Sequence, residues 1–374
     1  MPVSGIAEKP ITTKKAPMRN ALHHWTWVAP AAAGAFVAAN LVLAVPAGLL
    51  AASLIVAVLA AVHHAEVVAH RVGEPFGTFL LAIAVTIIEL GLIVTLMAAA
   101  DAGAATLARD TVFAAVMIIL NGLVGICILI GAVKHREQRF VQTGVSASLA
   151  TLCALTVLTL VLPNFTVSEA GPVYSPSQLA FVAVVSFLLY ATFVSVQTMR
   201  HRHYFLPPRA AAANPEIHAP RPSDRQTLMS SALLIACLVA VVLLAKALAP
   251  SIEKGVASAG APRAIVGVII AALVLLPEGV AATRAALANR LQTSLNLALG
   301  SALATIGLTI PAVAALSLMI ELPIALGLDA KGIVLLFLTL MVATLSLATG
   351  RTTILQGAVH LVIFGVYLFT TVVP

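Results

Sequence analysis

Charge is what this sequence has least of. Of its 374 residues only 9% are Asp, Glu, Lys or Arg, and only 14 are acidic. A soluble domain carries about 25% charged residues, so an ordinary water-facing globular fold is excluded. Cysteine is scarce as well. Cys127, Cys153 and Cys237 all fall inside apolar runs, where they are expected to pack as small hydrophobes, and they say nothing about redox compartment. No phosphate-cradling loop with the spacing of a Walker A motif occurs, which excludes a P-loop ATP-driven pump, and no HExxH motif marks a zinc hydrolase. What is abundant is apolar: 61% of residues are hydrophobic and the mean hydropathy is +1.07, the composition of a polytopic membrane protein.

Apolar runs bounded by Pro, Gly and charge predict eleven helices. They cover roughly 25–44, 46–70, 76–100, 111–134, 144–162, 177–199, 227–249, 262–285, 292–319, 331–349 and 352–372. The fold class expected is therefore all-α integral membrane, with the lipid bilayer as the main partner. Residues 1–24 are polar and basic for longer than the n-region of a signal peptide and read as a cytoplasmic tail. Residues 200–226, which include RHRHYFLPPRAAAANPEIHAPRPSDRQ, lack periodicity and read as a basic, Pro-rich cytoplasmic linker.

With the N-terminus inside, sixteen of the 21 Lys and Arg fall on inner segments. The other five, Arg109, Lys246, Lys254, Arg263 and Lys331, fall on outer ones, in accord with the positive-inside rule. The net charge of +7 thus reflects topology rather than nucleic-acid binding.

The chain also repeats itself. Gly follows Glu66 by seven residues and Pro by nine (Gly73, Pro75), and the same spacing follows Glu253 (Gly260, Pro262). In each copy a long apolar helix comes next, carrying Glu89 in the first and Glu278 in the second. Residues 45–199 and 227–374 therefore read as two five-helix repeats, with 25–44 an extra first helix. Five is odd, so the second repeat enters the membrane from the opposite face. Inverted repeats are an architecture of secondary transporters, with the ion site near the midplane between the halves.

Glu89 and Glu278 are the acidic residues that lie deep inside spans. A charge at mid-span costs about 2.5 to 3.5 kcal/mol on the mildest insertion scales, which makes such a residue a functional candidate. Desolvation and like-charge repulsion disfavour ionised carboxylates there, so the pair is expected to hold protons until a cation replaces them. Two carboxylates neutralise one Ca²⁺, which also prefers oxygen ligands. Thr86, on the Glu89 face, and Asn121, Ser301 and Thr305 in the following helices offer uncharged oxygens. Pro277 removes a backbone hydrogen bond next to Glu278 and favours a broken helix. The stretch HHAEVVAH places His63, Glu66 and His70 on one helix face. With His64 and Glu253 these read as a proton path or gate; an intramembrane metalloenzyme is the remote alternative. His360, alone in the last span, reads as a satisfied bundle histidine.

HHAEVVAHRVGEPFGT, VTIIEL, ARDTVFAAVMIILNG, LLPEGVAATRAA and LNLALGSALATIGLTIPA together resemble the bacterial calcium/proton antiporters of the cation/calcium exchanger superfamily. The resemblance implies a sodium/calcium exchanger-like fold and a secondary antiporter in the bacterial inner membrane. It would export Ca²⁺, with Na⁺ and K⁺ as further candidates, in exchange for H⁺, with no cofactor and no enzymatic activity. It places Glu89 and Glu278 as the central acidic ligands, Asn121 and Ser301 in the helices that complete the site, and Glu66 and Glu253 near the entrances. Many relatives carry Gly-Asn before the central Glu; here the positions hold Val85-Thr86 and Val274-Leu275. That loss of amide ligands keeps a monovalent Na⁺ or K⁺/H⁺ antiporter as the alternative.

Overall fold

The computed structural model describes residues 18–43, 45–73, 76–99, 104–206, 222–320 and 323–373; within α1 and α3, side chains are described only from residues 25 and 83 onward, save a few positions. Most of the tail and the middle of the linker lie outside these residues. Helices α1 (Met18–Val42), α2 (Ala47–Val72) and α3 (Phe76–Ala99) open the chain. The next span joins α4 (Ala104–Met117) to α5 (Val124–His135) through a π-helical segment, Ile118–Leu123. Then follow β1 (Gln138–Arg139), α6 (Gln142–Thr156), α7 (Pro176–Ser195), α8 (Asp224–Ser258), α9 (Ala264–Val274) and α10 (Leu276–Leu287). After further π-segments at Val157–Val161 and Val196–Arg200, a fourth, Thr305–Thr309, separates α11 (Leu291–Ala304) from α12 (Ile310–Ile320), and α13 (Ala330–Leu347), β2 (Arg351–Thr352) and α14 (Ile354–Val372) close the chain.

Among the described residues eight helices are long and apolar enough to cross a membrane, and α9 with α10, bent by 56°, makes a ninth candidate. The outward faces of these helices carry Phe181, Phe187, Phe337, Leu345 and Phe369 in the open, as lipid-facing surfaces require. Boundaries differ from the sequence reading in two informative places. α1 starts at Met18 rather than residue 25, because no helix stop follows Pro17. α8 runs through Pro250 to Ser258 instead of ending at 249, since packing against α2 carries a helix past a single missing N–H.

The loops gather at two ends. At one end β1 pairs antiparallel with β2, Lys134 and His135 bond the Leu287 carbonyl, Gln138 Nε2 donates to Ala286 O at 2.9 Å, and Arg71 pairs with Asp224. At the other, Ala325 N–H donates to Ala105 O (2.8 Å), Gly327 N–H to Pro172 O (3.0 Å) and Leu328 N–H to Leu160 O (2.8 Å), while Arg109 pairs with Asp110. The first end gathers loops that the charge pattern groups as basic.

Small residues bring helices close. A Cβ on Gly357 of α14 would lie 2.6 Å from the Leu129 backbone nitrogen of α5. Cys127 and Cys237 are buried and Cys153 half-buried, all with free thiols.

Candidate cation site

Glu89 sits at mid-length of α3 and is only 3% exposed. Its partners come from the π-segment between α11 and α12. Thr309 Oγ1 donates to Glu89 Oε2 at 2.9 Å, and Thr305, one turn earlier, bonds the same carboxylate. A threonine in a regular helix usually returns its hydroxyl to the carbonyl four residues back, as Thr95, Thr111 and Thr344 do here. The widened π-turn coincides with a different outcome at Thr309, whose hydroxyl turns across the helix interface to Glu89.

Glu278 reaches the interior by another route. Pro277 has no N–H to give the Leu273 carbonyl, and the helix breaks at Leu275. α10 restarts there with Glu278 in its first turn, where unpaired N–H groups and the positive end of the helix dipole favour an anion. Its Oε2 is buried and has no hydrogen-bond partner among the described residues. The Glu89 and Glu66 carboxylates are close enough to Glu278 to act on it by charge. A buried carboxylate with an unfilled oxygen is costly, and a proton or a cation removes the cost.

The other predicted residues divide. Thr86 is buried one turn before Glu89. Asn121 is fully buried in the π-segment of the α4–α5 span, against which α10 packs, but its side chain bonds Thr339 (2.8 Å) and His360 (3.3 Å). Ser301, half-buried on α11, has no contact to either carboxylate among the described hydrogen bonds. Glu66 is exposed on α2, and Glu253 is half-buried in the extended end of α8.

Within the histidine stretch, His64 joins helices together. His64, 1% exposed, faces Thr26 O at 3.0 Å and Ser230 Oγ at 3.3 Å, so it ties α2 to α1 and α8. His63 lies beside Trp25 and His64, and His70 is exposed. No group of three or more metal-ligating side chains occurs among the described residues, so the metalloenzyme alternative finds no ligand set there. Sequence reasoning missed Thr309, although its spacing of four from Thr305 is a signal that could have found it.

The family model described as "Sodium/calcium exchanger protein" matches residues 42–199 and 229–373. The chain belongs to the sodium/calcium exchanger family. As a member it is a multi-span membrane protein and a cation exchanger. It is 48% identical over 356 residues to the "Putative ionic transporter y4hA" of Sinorhizobium fredii (strain NBRC 101917 / NGR234), covering 94% of this chain and 96% of that one. It is 37% identical over 310 residues to the sodium-potassium/proton antiporter ChaA of Escherichia coli (strain K12), covering 83% and 84%. In fold it resembles native YfkE, with a TM-score of 0.70 at 17% identity over 93% of this chain and 100% of that one. The H⁺/Ca²⁺ exchanger CAX gives 0.68 at 14% identity, over 92% and 88%.

Proposed function

We propose that this exchanger is a secondary active antiporter that expels Ca²⁺ in return for protons by alternating access, with Glu89 and Glu278 holding either the cation or protons. The observation that carries this reading is the pair itself: two interior carboxylates, Glu89 acting on Glu278 by charge, and a Glu278 oxygen that no group among the described residues fills. One divalent ion balances two carboxylates, so about two protons leave per Ca²⁺ if only these groups exchange them. Thr305, Thr309 and Thr86 line the Glu89 side, and Asn121 and Ser301 are further oxygen donors. Glu66, which acts on Glu278 by charge from a more exposed position, is the candidate gate on the basic side. His63, His70 and Glu253 remain members of the entrance regions in this reading, and His64 is assigned the structural tie.

The wider architecture belongs to the same proposal: eleven spans, the N-terminus in the cytoplasm, the bacterial inner membrane, and inverted repeats over 45–199 and 227–374. The reciprocal packing of α3 on Thr305–Thr309 and of α10 on Ile118–Leu123 supports the repeat, as each carboxylate helix meets a π-segment of the other half. A second reading, exchange of Na⁺ or K⁺ for H⁺, is favoured by the sodium-potassium/proton antiporter as the 37% identical relative.

Proton release from acidified everted vesicles, followed with a pH dye after separate additions of Ca²⁺, Na⁺ and K⁺, tests both. A response to Ca²⁺ supports the first reading, and a response to Na⁺ or K⁺ alone supports the second. Silence toward all three, with the protein present in the vesicles, would end both.

A further inference from the structure

A second group of buried polar side chains joins the 118–123 segment to α13 and α14. Ser346 Oγ lies 2.8 Å from His360 Nε2, His360 Nδ1 lies 3.3 Å from Asn121 Oδ1, and Asn121 Nδ2 donates to Thr339 Oγ1 at 2.8 Å. Asn121, Thr339 and His360 are each 0% exposed. With the amide nitrogen committed to Thr339, the amide oxygen is left for His360, whose Nδ1 therefore carries its hydrogen. Nε2 is then the acceptor, and the single hydrogen of the Ser346 hydroxyl goes to it in place of the Val342 carbonyl, 2.7 Å from the same oxygen. The Leu120 carbonyl faces the same ring. In a span, each such group is costly unless satisfied, so the chain is a specific arrangement rather than incidental polarity.

The backbone is shaped to bring it together. A Cβ at Gly125 would stand 3.0 Å from His360 Cβ, and one at Gly122 would stand 3.3 Å from the Phe364 ring. Glycine at both positions lets α14 lie against the π-segment that carries Asn121. On another side, α10 packs on the same segment, and a Cβ at Gly279, next to Glu278, would be 3.8 Å from Leu123 Cδ1. Asn121 thus sits on a segment that meets α14, which carries His360, on one side and α10, which carries Glu278, on another.

We propose that His360 is a positioning residue for cation exchange: with Thr339 and Ser346 it fixes the orientation of the Asn121 amide, and so the readiness of its oxygen to meet a dehydrated cation. This rests on the carboxylate-pair reading. The amide oxygen has a second lone pair beyond the one His360 uses, so holding the amide and coordinating a cation are compatible. An amide free to rotate would pay for its own ordering each time a cation arrives.

The test is vesicle exchange with Ca²⁺, Na⁺ and K⁺ for wild type, His360→Leu, His360→Asn and Ser346→Ala. For the cation that wild type exchanges, His360→Leu is expected to raise the half-saturating concentration about fivefold, the worth of one buried hydrogen bond, with the maximal rate within about twofold. His360→Asn, which restores an N–H toward Asn121, recovers most of that. In an Asn121→Ser background, His360→Leu should add nothing. Unchanged half-saturation in His360→Leu, or effects that multiply in the Asn121→Ser background, would overturn the proposal. If His360→Leu is not produced, Ser346→Ala carries the same readout: a raised half-saturation supports the proposal and an unchanged one overturns it. Wild type that exchanges none of the three cations removes the carboxylate reading and this proposal together, whereas wild-type exchange with indifferent variants removes this proposal alone.

Discussion

Replacing Thr309 by Val probes how the protein serves its buried carboxylate. Val has nearly the shape of Thr, and the site is fully buried, so packing is retained and the one thing lost is the O–H that reaches Glu89 Oε2 at 2.9 Å. A hydrogen bond to a charged group is worth about 1.5 to 3 kcal/mol. Thr305 remains on the same carboxylate and makes up part of the loss, so about 1.4 kcal/mol is the expected residue, a factor of about ten in an equilibrium constant. The ionised form of Glu89 is the form that binds a cation and the one the hydroxyl supports. Its loss should therefore raise the half-saturating cation concentration about tenfold while leaving yield and melting temperature close to wild type. The assay is initial dequenching rate against cation concentration in everted vesicles, with Thr309→Ser, which keeps the hydroxyl, as control. An unchanged half-saturation in Thr309→Val, at matched protein level, would refute the claim that this hydroxyl serves a working carboxylate.

Other perturbations separate structure from transport. Gly357→Ala would push a Cβ to 2.6 Å from Leu129 N, so α14 must back away from α5; about 1 to 3 kcal/mol of stability should be lost, visible as a lower melting temperature in detergent. His64→Leu removes a side chain with partners on α1 and α8, and should cost about 1 to 3 kcal/mol in the same melt while the half-saturating cation concentration stays within about twofold. A large change in half-saturation in that variant would return His64 to the ion path. Elemental analysis of the purified protein should find no stoichiometric zinc, because His63, Glu66 and His70 converge on no ligand set among the described residues.

Much of this molecule was legible in its sequence, for reasons that differ by feature. The apolar runs were readable because a bilayer fixes the length of a helix that crosses it, and Glu89 and Glu278 because a charge inside such a run is too costly to be incidental. The break beside Glu278 was readable because Pro277 lacks an N–H. Thr309 carried only the weak signal of its spacing from Thr305, because most span hydroxyls bond their own helix and no residue type announces the π-turn beside this exception. The orientation of Asn121 was equally hidden. It depends on His360, 239 residues away in the chain, and on glycines that serve as contact surfaces only once α5 and α14 are side by side. The sequence view of α8 stopped at Pro250 because proline ends helices in water, where no partner helix makes up the missing bond. His64, read from the sequence as part of a proton path or gate, faces Thr26 on α1 and Ser230 on α8, partners that no spacing within α2 could announce.

The most direct test of the central claim is proton release on cation binding to the purified exchanger in weakly buffered detergent solution, compared with Glu89→Gln and Glu278→Gln. The account predicts that wild type releases about two protons per Ca²⁺ bound, or about one per Na⁺ or K⁺, and that either substitution abolishes the coupled release at unchanged protein yield. Cation binding without proton release, or release that persists in both variants, would contradict it.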